Sequence, residues 1–548
     1  MFMKKFKLAV VFMLLFQLSF AGGLLTNYNQ SAQYVRMLSR NASLDIDAVF
    51  YNPAGLTKLQ DGWHFAFSSQ TIFQTREINS EFMYLNDSYY EGETTIPVFP
   101  NLYGVYKKDK WAFSIGAGVV AGGGTANFDD GLPSFEIPVS KLVPSLAGLA
   151  DVDPSLAVNS YDLDMSLEAS SIFWGVQLGA TYQINDIFSV YGGVRVLPAV
   201  NSYKGSITNI SINDVSAVDW LTGAASAVSN YGVAMQAAAN MPETLSPYLD
   251  QGGDYTLSQL ADFGLIGAEE KAQIEAGLGV AGVSSDIISG MSLEQIYAAY
   301  VEASPVFQSA ADELTATAET LEETKSSVED KYVDVKQKGL GFTPIIAVNI
   351  SPNDDWNIGL KYEHKTYLKL ENETTEDDLG LFPDKAETQY DIPAIFTAGI
   401  GYRGLKWLEA QLSYNYYFDK NVDFGYNVRY QTTGESVARE INKNSYELAL
   451  GLQFNVGERF SISVGGLRSE VGVDDAYQSD FSYGNSSYTL AGGVSWKLTD
   501  RITLDAGVLN SFYDEETVTF VDPTFGNYDE SYQKSSLSLA MGISYSIF

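Results

Sequence analysis

The chain has 548 residues, with 33 Lys or Arg against 68 Asp or Glu, so its formal net charge is −35. This acidic balance excludes a nucleic-acid-binding protein, which needs a basic surface. With no Cys and only two His, the chain cannot form a disulfide scaffold and has little material for imidazole catalysis or a zinc site. High Tyr, Phe and Gly contents together with 18% charged residues are typical of a large β-protein.

The first 21 residues have the pattern of a secretory signal peptide. Three Lys among the first seven residues precede an apolar run over 8–20, and small residues follow at Ala21 to Gly23. Thirteen residues are too few for a spanning helix, which needs about 20, so a membrane anchor is disfavoured. We therefore predict a cleaved signal peptide over 1–21, which leaves 30 basic and 68 acidic residues and a charge of −38.

From residue 63 onward, apolar and polar residues alternate with period two. In the last stretch, Leu537, Leu539 and Met541 share one face, and Ser536 and Ser538 lie on the other. Such stretches exceed the usual 5–6 residues of globular strands and suit tilted strands that cross a bilayer. We predict fourteen strands, at 63–76, 95–107, 110–123, 165–184, 187–211, 331–351, 356–371, 386–403, 406–419, 441–456, 459–470, 485–498, 501–514 and 531–548.

The connections between these strands alternate in length. Every second connection is a short turn, such as 108–109, 185–186 and 457–458, and the others are long. Short turns at one rim and long loops at the other are the layout of outer-membrane barrels. We therefore predict an all-β transmembrane barrel of 14 antiparallel strands over 63–548, located in the cell outer membrane.

The third long connection, 212–330, has helical rather than strand periodicity. Apolar residues recur at helical spacing over 216–240 and 310–330, and Ser292 to Gln295 form a capping box that opens a further helix. We predict a helical extracellular loop here. It either shields the barrel mouth or serves as a gate or ligand-capture site, and the sequence favours neither.

Residues 22–62 precede the first strand and have no strand pattern. A barrel of fourteen strands is too wide for its own side chains to fill. We therefore predict that 22–62 folds back into the lumen as an N-terminal plug, which would also prevent leakage.

Several short strings, in this order along the chain, resemble the FadL-type family of outer-membrane transporters for long-chain fatty acids, toluene and related hydrophobic compounds. The first matches the family's plug motif, and the others match strands three and six to nine. They are Asp45 to Gly55, with Asn52, Pro53, Ala54 and Gly55 as the motif itself, Gly123 to Phe128, Gly339 to Phe342, Trp356 to Tyr362, and Ile392 to Tyr416.

The resemblance implies a mechanism. Ligand would be collected by extracellular loops, passed to a lumenal pocket and released sideways at a kink in the third strand. Gly122, Gly123 and Gly124 are our candidates for this kink and lateral gate, because Gly lowers the cost of a bulge. The alternative is that Gly only limits bulk in the lumen.

A carboxylate head group would need a cation or amide donors. Alternation turns Arg195 towards the lumen, with Lys204 further along the same strand. Lys361, His364 and Lys365 are further candidates, although the family's Tyr-Arg-Ser is replaced here by Tyr-Glu-His beginning at Tyr362. Alternatively, each cation is merely solvated or paired with one of the many acids.

Neither His64 nor His364 has a nucleophile signature nearby, so we predict no enzyme activity, and neither a cofactor nor a metal is expected. Phe548 is the predicted signal for the barrel-assembly machinery, although it lies out of phase with the lipid-facing residues. The expected partners are a hydrophobic small molecule, outer-membrane lipid and lipopolysaccharide. A general diffusion porin and a structural or adhesive barrel remain the alternative functions.

Overall fold

A computed structural model describes residues 26–423, 437–439 and 441–548. The predicted signal peptide and residues 22–25 of the predicted plug lie outside the described residues. The described chain divides into two compact units, one made of 141–163 with 209–330 and the other of the remaining residues. Among the described helices, none is both long and apolar enough to cross a membrane.

The described residues contain eighteen strand segments, β1 to β18. In chain order they are Gly62–Ser80, Tyr89–Lys108, Trp111–Phe128, Tyr161–Gln183, Phe188–Ile212, Val215–Ser216, Lys331–Ile350, Trp356–Glu363, Lys369–Asp377, Glu387–Gln389, Ile395–Leu405, Leu408–Tyr417, Tyr446–Val456, Phe460–Glu470, Ser487–Lys497, Ile502–Tyr513, Glu516–Asp522 and Gly526–Ile547.

These segments form a closed antiparallel barrel of fourteen strands, which confirms the predicted number. Three barrel strands consist of two segments each. β8 and β9 both pair with β7, β10 and β11 pair with β9 and β8, and β16 and β17 both pair with β18. The two-residue β6 only extends the end of β5 as a small hairpin. Pairing of β1 with β18, from Trp63↔Ile547 to Ser80↔Glu530, closes the barrel.

Residues on the outer face of the strands are apolar and exposed, which is the pattern of a surface in contact with lipid. Aromatic pairs lie near the short-turn rim, with ring centroids 4.7 Å apart at both Trp63–Tyr106 and Trp111–Tyr182. On β1 the exposed aromatic residues run from Trp63 to Phe73. At about 3.3 Å per residue and a tilt of about 40°, this distance gives an apolar band about 25 Å tall.

Side chains and backbone conformation stabilise the short turns. Asp109 has a positive φ of 52° and Gly457 one of 76°, which the tight reversals require. At the 185–186 turn, the Asn185 carboxamide oxygen accepts hydrogen bonds from the backbone N–H groups of Ile187 and Phe188, both at 2.9 Å. Such Asx turns explain why these short connections reverse the chain without longer loops.

The strands predicted at 356–371 and 386–403 are not continuous. Each is interrupted, between β8 and β9 and between β10 and β11 respectively, and the isolated bridge Thr366↔Ile392 spans the break. Pro393 has no N–H to donate, and Asp391 accepts the Leu368 N–H at 3.0 Å in place of a ladder partner. Proline and this side-chain acceptor therefore interrupt the ladder, which alternation alone did not reveal.

Other strands are longer than predicted at the long-loop end. β1 continues to Ser80, β2 starts at Tyr89, and the predicted loop 515–530 contains β17. There the outward-facing residues are polar, which obscures the hydrophobic alternation. The second long connection, 124–164, of which only the length was predicted, contains three short helices.

The α-helices of the described chain are numbered α1 to α12. They are Ala32–Met37, Ala48–Tyr51, Pro133–Ser140, Leu142–Leu146, Leu149–Val152, Ala217–Ala239, Met241–Leu245, Leu249–Gly252, Leu257–Asp262, Ala268–Val280, Ser285–Gly290 and Leu293–Thr324, and 3-10 turns lie at Pro53–Lys58, Pro154–Leu156, Ser246–Tyr248, Lys325–Ser327 and Asp419–Asn421.

The unit made of 141–163 and 209–330 is helical, as predicted for its larger part. The capping box is present, because the Ser292 hydroxyl accepts the Gln295 N–H. It opens α12, whose 32 residues join the two helices predicted around 293 and 310–330. α6 and α12 pack together, and Tyr300 and Phe307 contribute to their shared core.

Candidate functional site

The N-terminal segment, residues 26–61, lies inside the barrel. Its side chains are mostly buried, and they contact inward-facing residues on strands all around the closed sheet. Tyr103 on β2 donates a hydrogen bond to the Gln30 carbonyl at 2.6 Å, and Asn415 on β12 accepts one from Asn41 at 2.8 Å. Because these partners lie on well-separated strands, the segment occupies the lumen.

Ionic contacts hold the first helix of the segment. On α1, Arg36 Nε donates to Asp505 Oδ1 on β16 at 2.9 Å, and both side chains are buried. Arg40 pairs with Asp47 at 2.7 Å within the segment. Burial lowers the pKa of Arg40, but the carboxylate of Asp47 outweighs this effect and holds the pKa well above its ordinary value. The segment therefore carries its own buried ion pair as well as one to the wall.

The plug motif makes specific contacts with the wall. Asn52 donates to Asn349 on β7 at 2.7 Å and to the Ser43 carbonyl at 3.0 Å. The carbonyls of Pro53 and Ala54 accept hydrogen bonds from the hydroxyls of Thr181 and Ser189, on β4 and β5. These bonds satisfy the backbone of a buried 3-10 turn, as buried carbonyls require.

Three charged residues meet beside Phe50 of the N-terminal segment. Arg195 on β5 donates to Glu363 on β8 through its two terminal guanidinium nitrogens, Nη1 at 2.6 Å and Nη2 at 3.1 Å. Lys361 Nζ donates to Glu363 at 2.7 Å and to the Phe50 carbonyl at 2.7 Å. The Phe50 ring lies 5.0 Å from the Arg195 guanidinium and 4.7 Å from Lys361 Nζ. Two buried cations therefore share one carboxylate and one aromatic face, and the carboxylate offsets the charge of only one of them.

The other three predicted head-group residues do not join this cluster. Lys204 is exposed, because it lies on the outward register of β5, whereas Arg195 faces inward. His364 is also exposed, and its ring is 3.2 Å from the Tyr362 hydroxyl. Lys365 pairs with Asp391 at 2.7 Å at the break in the strands. Arg195 faces inward, as its alternation predicted, and Lys361 also faces inward. Lys204 is nine positions from Arg195, so period two places it on the opposite face of the strand.

The third strand is interrupted at the predicted glycines. Gly122 and Gly123 have positive φ values of 64° and 139°. Pairing of β3 with β4 shifts register twice around them. Pairing of β3 with β2 stops after Gly118↔Asn101 and resumes only at Asn127↔Glu93. The wall thus lacks ladder pairs between 94–100 and 119–126.

Side chains of β2 fill this interruption. A Cβ atom on Gly123 would lie 2.7 Å from the Phe99 ring, and one on Gly124 would lie 2.5 Å from Ile96 Cγ1. The N-terminal segment satisfies the unpaired β3 carbonyls. Asn27 donates from its backbone N–H to Val120 O and from its side chain to Gly122 O, and Gln30 donates to Val119 O at 2.6 Å. The interruption is therefore closed by side chains rather than by a ladder.

A cavity of about 130 Å³ lies beside the interruption. Gly122, Phe99 and Ile96 line one end, and Tyr483, Tyr513 and Lys534 also line it. Its remaining apolar lining comes from Leu38, Ile72, Leu467, Val471 and Leu509. Engineered apolar cavities of about 150 Å³ bind benzene, so the volume is of the order that a small apolar group needs.

Some residues of the site were absent from the sequence-based candidates. Glu363 was seen only as a departure from the family string, and its role as the partner of Arg195 depends on a contact across 168 positions. Lys534 shares its face with Ser536 and Ser538, so the alternation of the last strand already placed it inward. Asn27 and Gln30 had no recognisable signal, because their bonds to β3 follow from the path of the segment.

The C-terminal Phe548 follows β18 and is half-exposed, with its ring 5.9 Å from that of His64. Its role in assembly stays a prediction. In the part of the chain that the structure describes, no group of three or more His, Asp or Glu side chains is placed to hold a metal ion.

No protein-family model matches the sequence. No curated protein sequence matches it either. A FadL homologue from Pseudomonas aeruginosa is 12% identical with a TM-score of 0.55, and the match covers 96% of this chain and 99% of that one.

Two structures of TodX are also similar. For the TodX deltaS2S3 mutant, a monoaromatic hydrocarbon channel, identity is 11% and the TM-score 0.50, over 95% and 99% of the two chains. For the toluene transporter TodX of Pseudomonas putida, identity is 10% and the TM-score 0.49, over 92% and 94%. With its closed barrel of fourteen strands, the chain has the FadL-type fold.

Proposed function

We propose that this protein carries hydrophobic small molecules, such as long-chain fatty acids or monoaromatic hydrocarbons, across the outer membrane. The observation that carries the proposal is a cavity, lined by apolar and aromatic side chains together with polar ones, whose end lies at an interruption of the barrel wall. The fold supports it, because a FadL homologue and a TodX variant described as a monoaromatic hydrocarbon channel share the architecture. The apolar outer band and the barrel itself support an outer-membrane location.

Physical chemistry favours such a route over a water-filled pore. Moving one CH₂ group from an apolar site into water costs about 0.8 kcal/mol, so a long aliphatic chain resists crossing an open aqueous channel. A carrier has to offer apolar surface from capture to release. The cavity lining supplies that surface next to the interruption at Gly122, and Phe99 and Ile96 provide the side chains that have to move for lateral release.

The N-terminal segment serves as the plug in this proposal. It is tied to β16 by Arg36, to β12 by Asn41 and to the interrupted part of β3 by Asn27. A shift of residues 26–30 would therefore remove hydrogen bonds from the β3 carbonyls and loosen the side chains that fill the wall. Plug movement and lateral opening are linked through these bonds.

Two measurements test the proposal against a diffusion porin. Purified full-length protein is reconstituted into planar bilayers for conductance, and cells producing it are assayed for uptake of a radiolabelled fatty acid or toluene. We expect uptake above that of cells without the protein and no large, steady ion current. A stable open current together with no hydrophobic uptake would favour the porin and contradict the carrier.

The helical unit is the second element of the proposal that needs a test. We infer that it captures ligand or gates entry, with shielding or adhesion as the alternatives. Replacing 217–324, the span from α6 through α12, by a short flexible linker leaves the barrel strands intact. Reduced hydrophobic uptake with normal barrel assembly would support capture, whereas normal uptake with lost cell attachment would indicate adhesion.

A further inference from the structure

A further buried cation lies in the lumen, away from the Arg195 cluster. Lys534 is on the inward face of β18, with 7% of its surface exposed, and its register partner on β1 is Arg76, which is fully buried. Lys534 Nζ donates to the Tyr483 carbonyl at 2.5 Å and lies 4.4 Å from the centroid of the Tyr483 ring. Like charges directly opposite each other on paired strands are destabilising.

Lys361 and Lys534, both buried, differ in how their charge is compensated. Lys361 has the carboxylate of Glu363 at 2.7 Å, but Lys534 has no carboxylate within 4 Å among the described residues. A carbonyl and an aromatic face compensate only part of a buried ammonium charge. Lys534 therefore has the position and chemistry of a residue that awaits an anion.

Lys534 lines the same cavity as several apolar side chains. Lys534, Tyr483 and Tyr513 line it together with Ile72 and Ile96. Arg76, the partner of Lys534, is four residues from Ile72 along β1, which at about 3.3 Å per residue is about 13 Å. Ile72 pairs with Ile96, whose side chain lies against Gly124. The cation and the wall interruption are thus at different levels of one cavity.

One acidic residue, Glu447, also lines the cavity. Its Oε2 accepts hydrogen bonds from the Asn415 amide and the Tyr417 hydroxyl, both at 2.8 Å. These donors bind one carboxylate oxygen of Glu447, and Glu447 is not within the 4 Å ion-pair distance of Lys534. Lys534 therefore has no ion pair with the acid that lines the same cavity.

We propose that Lys534 binds the carboxylate of an amphiphilic cargo whose apolar chain lies in the cavity and points towards the β2–β3 interruption. The inference rests on the proposed transport function and deepens it, because it assigns an acid rather than a neutral hydrocarbon as the cargo held here. An ammonium–carboxylate hydrogen bond is charge-assisted, and burial in a lumen excludes the water that would weaken it. The Arg195 cluster is not needed for this site.

The test compares an acid and an alcohol of the same chain length. Octanoate and 1-octanol are titrated at pH 8 into the full-length protein in lipid nanodiscs, with empty nanodiscs as blank. For the wild type we expect octanoate to bind at least about tenfold more tightly, which corresponds to about 1.4 kcal/mol. Lys534→Met should reduce this preference to less than about threefold without weakening octanol binding, and Lys534→Arg should retain it.

Lys338→Met is the matched control. Lys338 is an exposed lysine on β7 that pairs with Glu373, so its loss should leave the preference for the acid unchanged. Equal binding of acid and alcohol by the wild type would overturn the inference even if Lys534→Met fails to assemble. An unchanged preference in an assembled Lys534→Met protein would overturn it too. If uptake of neutral hydrocarbons persists in either case, the transport function stands and only the assignment of Lys534 fails.

Discussion

Two glycine-rich parts of the same wall behave in opposite ways. In β3, Gly122 and Gly123 take positive φ values and the ladder to β2 is interrupted. In β14 and β15, the adjacent pairs Gly465–Gly466 and Gly492–Gly493 stay in regular register with their neighbours. Glycine content is therefore not what opens the wall.

The surroundings of the glycines explain the difference. A Cβ on Gly465 would lie 2.1 Å from the Met37 carbonyl oxygen, so this glycine makes room for α1 against the wall. At β3 the partner strand contains Pro97 and Pro100, which have no N–H to donate to a ladder. Both interpretations of lumenal glycine are thus found in one barrel: limited bulk in β14 and β15, and a broken strand in β3.

The largest expected effect comes from removing the interruption. In the triple variant Gly122→Val, Gly123→Val and Gly124→Val, β-branched residues disfavour positive φ and favour extended strand. We expect hydrophobic uptake to fall at least about tenfold while the barrel still assembles, because this stretch has few ladder bonds to lose. Uptake in cells and heat-modifiable migration on gels measure the two effects.

The matched control for this variant is Gly192→Val. Gly192 lies on β5 with open space around its Cα, so an added side chain meets nothing within 4 Å. The control should assemble and transport normally. Full uptake by the triple variant would contradict the proposed lateral gate.

The converse experiment fills the glycine that accommodates α1. Gly465→Val forces its Cβ onto the Met37 carbonyl, and overpacking of this kind costs about 3 kcal/mol. We expect a lower unfolding midpoint in denaturant and, once the N-terminal segment is displaced, measurable ion leakage in planar bilayers. Gly466→Val is the neighbouring control, because its Cβ would meet only Leu490 Cδ2, at 3.9 Å. A tight, equally stable Gly465→Val barrel would contradict the packing role.

A residue outside both glycine-rich regions, Asp419, gives a separate prediction about how stability depends on pH. Asp419 follows β12, and burial raises its pKa from the ordinary value to about 6, although the Ser445 hydrogen bonds act to lower it. The folded state therefore holds a proton that the unfolded state loses between about pH 4 and 6, so stability falls as pH rises through this window.

Asp419→Asn removes that loss. We expect the variant to be about 3 kcal/mol more stable than the wild type at pH 8 and nearly equal to it at pH 3.5, as measured by denaturant unfolding in lipid vesicles. The same gain at both pH values would show that ionisation of Asp419 is not the cause.

The smallest expected effect comes from removing one hydrogen bond between the N-terminal segment and the interrupted strand β3. Asn27→Ala removes the side-chain hydrogen bond to the Gly122 carbonyl, which is worth about 1 kcal/mol. We expect faster amide hydrogen exchange over 119–124 and unchanged exchange in β15. Asn29→Ala, which removes a bond to Gln70 instead, should leave 119–124 unaffected. Identical exchange in both variants would contradict the coupling of the segment to β3.

Local pattern accounts for how much of the fold was predictable. Period two and loop-length alternation predicted fourteen strands, and the structure confirms that number. Helical spacing and the Ser292 capping box predicted the helical insertion. The breaks near Thr366 and Ile392 were not predicted, because Asp391 acts there through a hydrogen bond to another strand. Alternation specifies the face of a side chain and contains no information about its partner.

The sequence by itself therefore determined the barrel, its strand number, the inward position of Arg195 and the glycines of β3. These depend on residue order over a few positions, where backbone geometry gives each side chain its direction. Only the tertiary structure decided that Glu363 pairs with Arg195, that Gly465 accommodates Met37, and that no described acid lies within 4 Å of Lys534. Those outcomes depend on contacts between residues far apart in the chain, which arise only when the barrel closes around its N-terminal segment.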